Sequence, residues 1–158
     1  MRYLEKLIEQ CRVALMAKPK RIFEWSEKSD IKDVGAAVYV IEEIGGDPET
    51  TFTNFREYRE EQSKKNESER RACAALNEPS KVLYVGSSTT GIRNRIQGHL
   101  GNGPKGTYAL QLKHWFIGQY KIVIRDYGEI DREIIQLIED DLADSLKPSF
   151  GKRGGNGR

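Results

Sequence analysis

Apolar positions recur every three or four residues at the start of the chain, at Leu4, Leu7, Ile8, Cys11 and Leu15. That period predicts a helix over residues 1–17. The next apolar block, Val34 to Ile41, is continuous, rich in Ala and Val, and holds Tyr39; it predicts a buried strand. Gly45-Gly46-Asp47-Pro48 ends it with turn chemistry. Residues 53–76 carry apolar groups only near their ends, Phe55 and Tyr58 at one and Ala72, Cys73 and Leu76 at the other. The charged run between them predicts an exposed helix laced with (i, i+4) pairs, a clamp on nucleic acid being the other reading. Lys81 to Gly86 predicts a second strand, and Ile92 to Leu100 a short helix behind the polar turn Ser87-Ser88-Thr89-Thr90-Gly91. Beyond the flexible stretch 101–106, Thr107 is a candidate N-cap for a helix to about Phe116, and Tyr120 to Arg125 predicts a third strand. Ile130, Ile134, Ile138, Leu142 and Leu146 repeat every four residues and predict a helix over 129–146, stopped by Pro148. The tail, 151–158, is Gly-rich and basic and reads as mobile.

Helices and strands interspersed in this way make an α+β fold. With no internal repeat and no linker, the 158 residues read as one domain large enough for its own core. Residues 1–33 form an N-terminal helical extension and 47–80 a helical insertion. Apolar residues make up 37% of the chain and charged residues 32%, which suits a solvated globular surface. No segment approaches the ~20 apolar residues of a membrane span, and the amphipathic, partly acidic start does not read as a signal peptide. Cys11 and Cys73 lack metal-type spacing and read as reduced thiols in a cytoplasmic protein.

Net charge is only +2, yet its distribution is uneven. From Pro79 through Arg125 there is no Asp or Glu, while Lys81, Arg93, Arg95, Lys105, Lys113, Lys121, Arg125 and both histidines fall there. Such a face can hold a polyanion; a salt-balanced surface with uneven sequence order is the plainer account.

The candidate chemistry lies at the ends of these elements. On the helix 92–100, Ile92, Ile96 and Leu100 form the buried stripe. Arg95 and His99 share one of its margins and Arg93 lies on the other, so Arg95 and His99 can act on one target. The turn before them offers backbone N–H groups at a helix start, which favour an anion. On the last helix both Glu139 and Asp141 fall near the apolar stripe, and periodicity does not choose between them. A single carboxylate suits Mg²⁺, which keeps several waters and takes phosphate oxygens as well. Tyr39 alternates with Ala37 and Ile41, and Tyr84 is expected to share a face with Val82. Either tyrosine alone reads as a core aromatic.

In their order along the chain these residues resemble the GIY-YIG nuclease family. Ala37-Val38-Tyr39 is similar to the first signature tripeptide, with Ala for Gly, and Tyr84-Val85-Gly86 to the second. Arg95 and His99 resemble the family's Arg followed by an aromatic or His. Glu139 with Lys147-Pro148 beyond it resembles the family's helical Glu, which selects Glu139 over Asp141. The likeness runs from about residue 35 to 150. The chain departs from it in the long stretch between Tyr39 and Tyr84, where many relatives have a short hairpin. Ser87 stands where Lys is frequent, and Gly151 where an Asn is frequent, so those roles pass to Lys105, Asn156 or another residue.

The resemblance implies a small three-stranded, mainly antiparallel sheet flanked by helices, and metal-dependent hydrolysis of DNA, duplex DNA first. Tyr39, Tyr84, Arg95, His99 and Glu139 would be catalytic. Glu139 would hold Mg²⁺ or Mn²⁺, Arg95 would stabilise the phosphate, and Tyr39 or His99 would activate water. Gly86, Ser87, Ser88, Arg93, Lys105 and Asn156 are the candidate substrate contacts. A restriction role would favour a homodimer; repair or mobile-element roles would not require one. The alternative is a catalytically inactive nucleic-acid-binding module of the same fold.

Overall fold

Alternation along one strand, Ala36–Ile44, divides the interior in two. Ala37, Tyr39 and Ile41 enter one core; Ala36, Val38 and Val40 enter the other. In the computed structural model, which describes residues 2–152, this strand is β2 of a four-stranded sheet. The elements run α1 (Tyr3–Met16), β1 (Arg21–Glu24), β2, α2 (Pro48–Ser63), β3 (Val82–Ser88), α3 (Ile92–Leu100), β4 (Gln119–Gly128) and α4 (Arg132–Leu146). The sheet order is β1-β4-β2-β3, and every pairing is antiparallel.

The α+β class is as expected, but the sheet has four strands and not three. The extra one, β1, comes from the region expected to be a helical extension. It pairs with β4 from Arg21↔Asp126 to Glu24↔Val123. Backbone bonds from Lys20 N to Asp126 O (2.7 Å) and from Trp25 N to Ile122 O (2.7 Å) flank it. The backbone groups of β4 on that side would otherwise lack partners.

Two expected helices are shorter or absent. The insertion is helical only over Pro48–Ser63, where Thr51, Phe55, Tyr58 and Gln62 form a buried stripe. Past Ser63 no apolar stripe continues, so a helix there would bury nothing. Instead Cys73 bridges Ala109 and Leu76 bridges Phe150 in extended pairings. Residues 107–116 hold only a single 3-10 turn, Leu112–His114. Gln111 just before it is left-handed (φ 56°). Its buried side chain donates to Ala72 O (3.0 Å) and accepts from Arg71 Nη1 (3.2 Å). Tertiary hydrogen bonds override local helix propensity here.

β3 contains a bulge: Ile41 pairs with Tyr84 and Glu42 with Val82, leaving Leu83 extra. Leu83 and Tyr84 therefore both enter the Tyr39 core, while Val82 packs against the other. The expected sharing of a face by Tyr84 and Val82 is thus corrected; an inserted residue breaks strict alternation. α4 covers the second core through Ile135, Ile138 and Leu142. No helix among the described residues is long and apolar enough to cross a membrane.

Candidate active site

Gly86 is the floor of the site. It pairs with Tyr39 across β2 and β3, and a Cβ there would overlap the Tyr39 hydroxyl. Its missing side chain lets the Tyr39 ring lie across the neighbouring strand. Tyr84 stacks on Tyr39 with centroids 6.1 Å apart and planes 11° from parallel. Gly151, at φ +110°, closes the far side of Tyr84, where a Cβ would come within 2.8 Å of the ring. Gly151 therefore serves as packing under a positive φ at a place where an Asn was the expected residue.

His99 reaches this pair from the last turn of α3. Its Nε2 lies 2.9 Å from Tyr39 Oη, and its ring centroid 4.1 Å from that of Tyr84. The Leu110 backbone N–H donates to His99 Nδ1 (3.2 Å). Nδ1 is therefore an acceptor, and a neutral ring must carry its proton on Nε2. Burial, with help from the Arg95 charge, pushes His99 down to about 3, so the ring is neutral. Nε2–H thus donates to Tyr39 Oη. Neither ring nitrogen keeps a free lone pair in this arrangement, and His99 is a donor that orients Tyr39.

Glu139 arrives from the opposite face of the sheet. Ser87 pairs with Val38, on the side that α4 covers. Its hydroxyl donates to Glu139 Oε1 (2.7 Å), and Gln136 Nε2 donates to Oε2 (2.9 Å). Burial raises the Glu139 carboxyl above its ordinary range; those two hydrogen bonds and Arg95 oppose it, while Asp140 adds to it. Asp141, the competing carboxylate, is exposed. Sequence reasoning missed Gln136, although it precedes Glu139 by three residues and so shares its helical face.

Arg95 links the two halves. Its charge lowers the pKa of Tyr39, Tyr84 and Glu139, against burial that raises all three. For Tyr39 burial dominates and the phenol lies well above its ordinary value. Two clefts meet at Arg95. One, about 680 Å³, runs over Ser87, Ser88, Asn94 and His99 to Gln136 and Arg132. The other, about 620 Å³, runs over Tyr84 to Arg59, Tyr108 and Lys152. Ser88 also shapes the turn, its Oγ accepting from Gly91 N (2.8 Å). Arg93 is exposed and lines neither cleft, and Lys105 is likewise exposed and outside both. Asn156, with most of the tail, lies outside the described residues.

Among the described residues no three His, Cys, Asp or Glu side chains gather as a metal site. Glu139 alone fits one kind of cation. Each of its oxygens accepts one hydrogen bond and keeps a second acceptor position. That suits an ion that fills its remaining positions with water and phosphate oxygens. Set against protein-family models, curated proteins and solved structures, the chain matches none of them.

Proposed function

We propose that this chain is a metal-dependent endonuclease of the GIY-YIG type that hydrolyses phosphodiester bonds of DNA in the cleft around Arg95. The observation that carries the reading is the convergence on Gly86: Tyr39 held by His99 at 2.9 Å, Tyr84 stacked on it, and Glu139 held by Ser87 at 2.7 Å on the next residue of β3. These groups come from two strands and two helices far apart in sequence, and core packing alone does not call for a buried carboxylate and imidazole beside an arginine. Glu139 would hold Mg²⁺ or Mn²⁺, which would supply Lewis-acid stabilisation of the charge on the phosphate.

The protein's own groups do the rest. Tyr39 Oη accepts the His99 Nε2–H, which fixes the phenol. To act as base the phenol first gives up its own proton to solvent. The tyrosinate, which the His99 N–H and the Arg95 charge stabilise against burial, then takes the proton of the attacking water and returns to the neutral phenol. Arg95 also compensates charge that grows on the phosphate in the transition state. Ser87 and Gln136 hold the Glu139 carboxylate in one orientation. The basic stretch between Pro79 and Arg125 attracts the polyanion.

Plasmid DNA incubated with Mg²⁺ or Mn²⁺ is expected to be nicked or cut by the wild type and left intact by Glu139→Ala, with both proteins equally folded by circular dichroism. Equal cutting by the two would sink the assignment. That no carboxylate cluster gathers among the described residues favours the second reading, an inactive module that grips nucleic acid. It predicts salt-dependent binding with no metal-dependent product.

A further inference from the structure

α1 buries none of its residues. It leans on α4 through one side, where Leu7, Gln10 and Ala14 are half-buried. The next side round holds Leu4, Ile8, Cys11 and Leu15, all exposed, with Leu4 at 61%, Ile8 at 60% and Leu15 at 80%. Their spacing of four, three and four residues is that of a two-helix seam, in which each apolar knob enters a hole on a facing helix. Single exposed leucines are ordinary on a monomer, but an unbroken apolar row at seam spacing is an interface pattern. A groove of about 720 Å³ runs beside it, between Cys11 and Leu15 of α1 and Ile138 and Leu142 of α4, with Asp140, Asp141 and Asp144 also along it.

We propose that α1 pairs antiparallel with α1 of a second copy of this chain, about a two-fold axis passing between Ile8 and Cys11. Leu4 of one copy then meets Leu15 of the other, and Ile8 meets Cys11, so that all four seam residues are covered at once.

Charge selects both the partner and the direction. Glu5 and Arg12 flank the seam on its open side. The antiparallel arrangement sets Glu5 of each copy beside Arg12 of the other, twice over. A parallel pairing would instead set them against Leu7 and Ala14, the positions that α4 already covers. The existing contact of Arg12 with Glu9 (3.7 Å) is between exposed groups and yields readily. The polar face mixes Glu5 and Glu9 with Arg2, Lys6 and Arg12, unlike the uniformly basic face of a helix that lies on anionic lipid. The 14-residue helix is ~21 Å long. A seam of that length belongs near the small end of stable interfaces, about 1,000 Å² in total, so the association should be concentration-dependent.

Sedimentation velocity of the full chain tests this from ~1 to ~100 µM, the range in which a small interface assembles. The wild type is expected to pass from monomer to dimer. Ile8→Glu and Leu15→Glu are expected to stay monomeric and to melt where the dilute, monomeric wild type does, because both side chains are already exposed in the monomer. Glu5→Arg is expected to weaken the dimer, and adding Arg12→Glu to restore it. A short bis-maleimide should link two wild-type chains through exposed Cys11, Cys73 being buried, and should fail with Cys11→Ser. A wild type that stays monomeric throughout would overturn the proposal. So would a dimer indifferent to Ile8→Glu, or a monomer that cosediments with phosphatidylserine vesicles through this face.

Discussion

The two faces of β2 are built from alternate residues of one strand, yet they hold different interiors. On one side Val38 and Val40 meet Val85 and Ile135, aliphatic groups that need nothing but contact. On the other, Tyr39 meets Tyr84, His99 and, further along, Phe55 and Phe150. There the buried hydroxyl and both ring nitrogens of His99 are used. The aliphatic side is a packing problem that many side chains of similar volume solve. The aromatic side is a hydrogen-bonded network in which a lost member leaves a buried polar group without a partner. Stability should therefore be shared by the two faces, and cutting should depend on one of them together with the Glu139 pocket at the strand's end.

The strongest challenge to that contrast is Arg95→Ala. It is expected to lower the cleavage rate by about 10²–10³ while the fold survives, as loss of one transition-state donor does. A single-turnover assay beside a thermal melt checks it; a small rate loss with a large melting shift would make Arg95 a structural residue.

His99 comes next, through pH. Its folded pKa, about 3, lies below its ordinary value of 6.5, so only the unfolded chain takes up a proton between them. Wild-type stability should therefore fall on acidification from pH 6.5 toward 3, by up to ~1.4 kcal/mol per pH unit from this one group. His99→Gln removes that slope, though its absolute stability is lower. Glu139 acts with the opposite sign: its raised pKa gives a contribution present below the ordinary carboxylate range and lost as pH climbs through the raised value. Being common to both proteins, it cancels in the difference. Melts of both proteins across that range decide the matter, and parallel curves would refute a neutral, buried His99.

The smallest effects separate the faces most directly. Val38→Ala should cost about 1–3 kcal/mol of stability and leave cutting by the folded protein unchanged. Gly86→Ala should cost a similar amount, by forcing Tyr39 off the floor, and should also reduce cutting. Denaturant melts paired with cleavage assays measure both; equal activity in the two variants would erase the distinction between the faces.

Much of the frame was legible in the chain. The period of α3 and α4, the alternation about Tyr39, and the pairing of Arg95 with His99 on one helix margin depend only on local geometry. The misses share a cause. Residues 64–76 and 107–116 have helix-compatible composition, but Gln111, Cys73 and Leu76 find partners far along the chain. β1 is four residues long and is a strand because β4 offers it a ladder. The bulge at Leu83 reverses the side on which Tyr84 was expected, and no single-strand pattern announces an inserted residue.

By itself, then, the sequence determined which side chains lie on which face of α3, α4 and β2, because those periods are properties of the backbone. Only the tertiary structure decided which faces meet. It turned Glu139 and not Asp141 toward Ser87, gave Gly151 the task of packing on Tyr84, and brought Leu110 N–H to His99. That last contact sets the tautomer, and with it the direction of the hydrogen bond from His99 to Tyr39. Such decisions rest on hydrogen bonds and burial between residues distant in the chain, whose energies exist only once the sheet has brought them together.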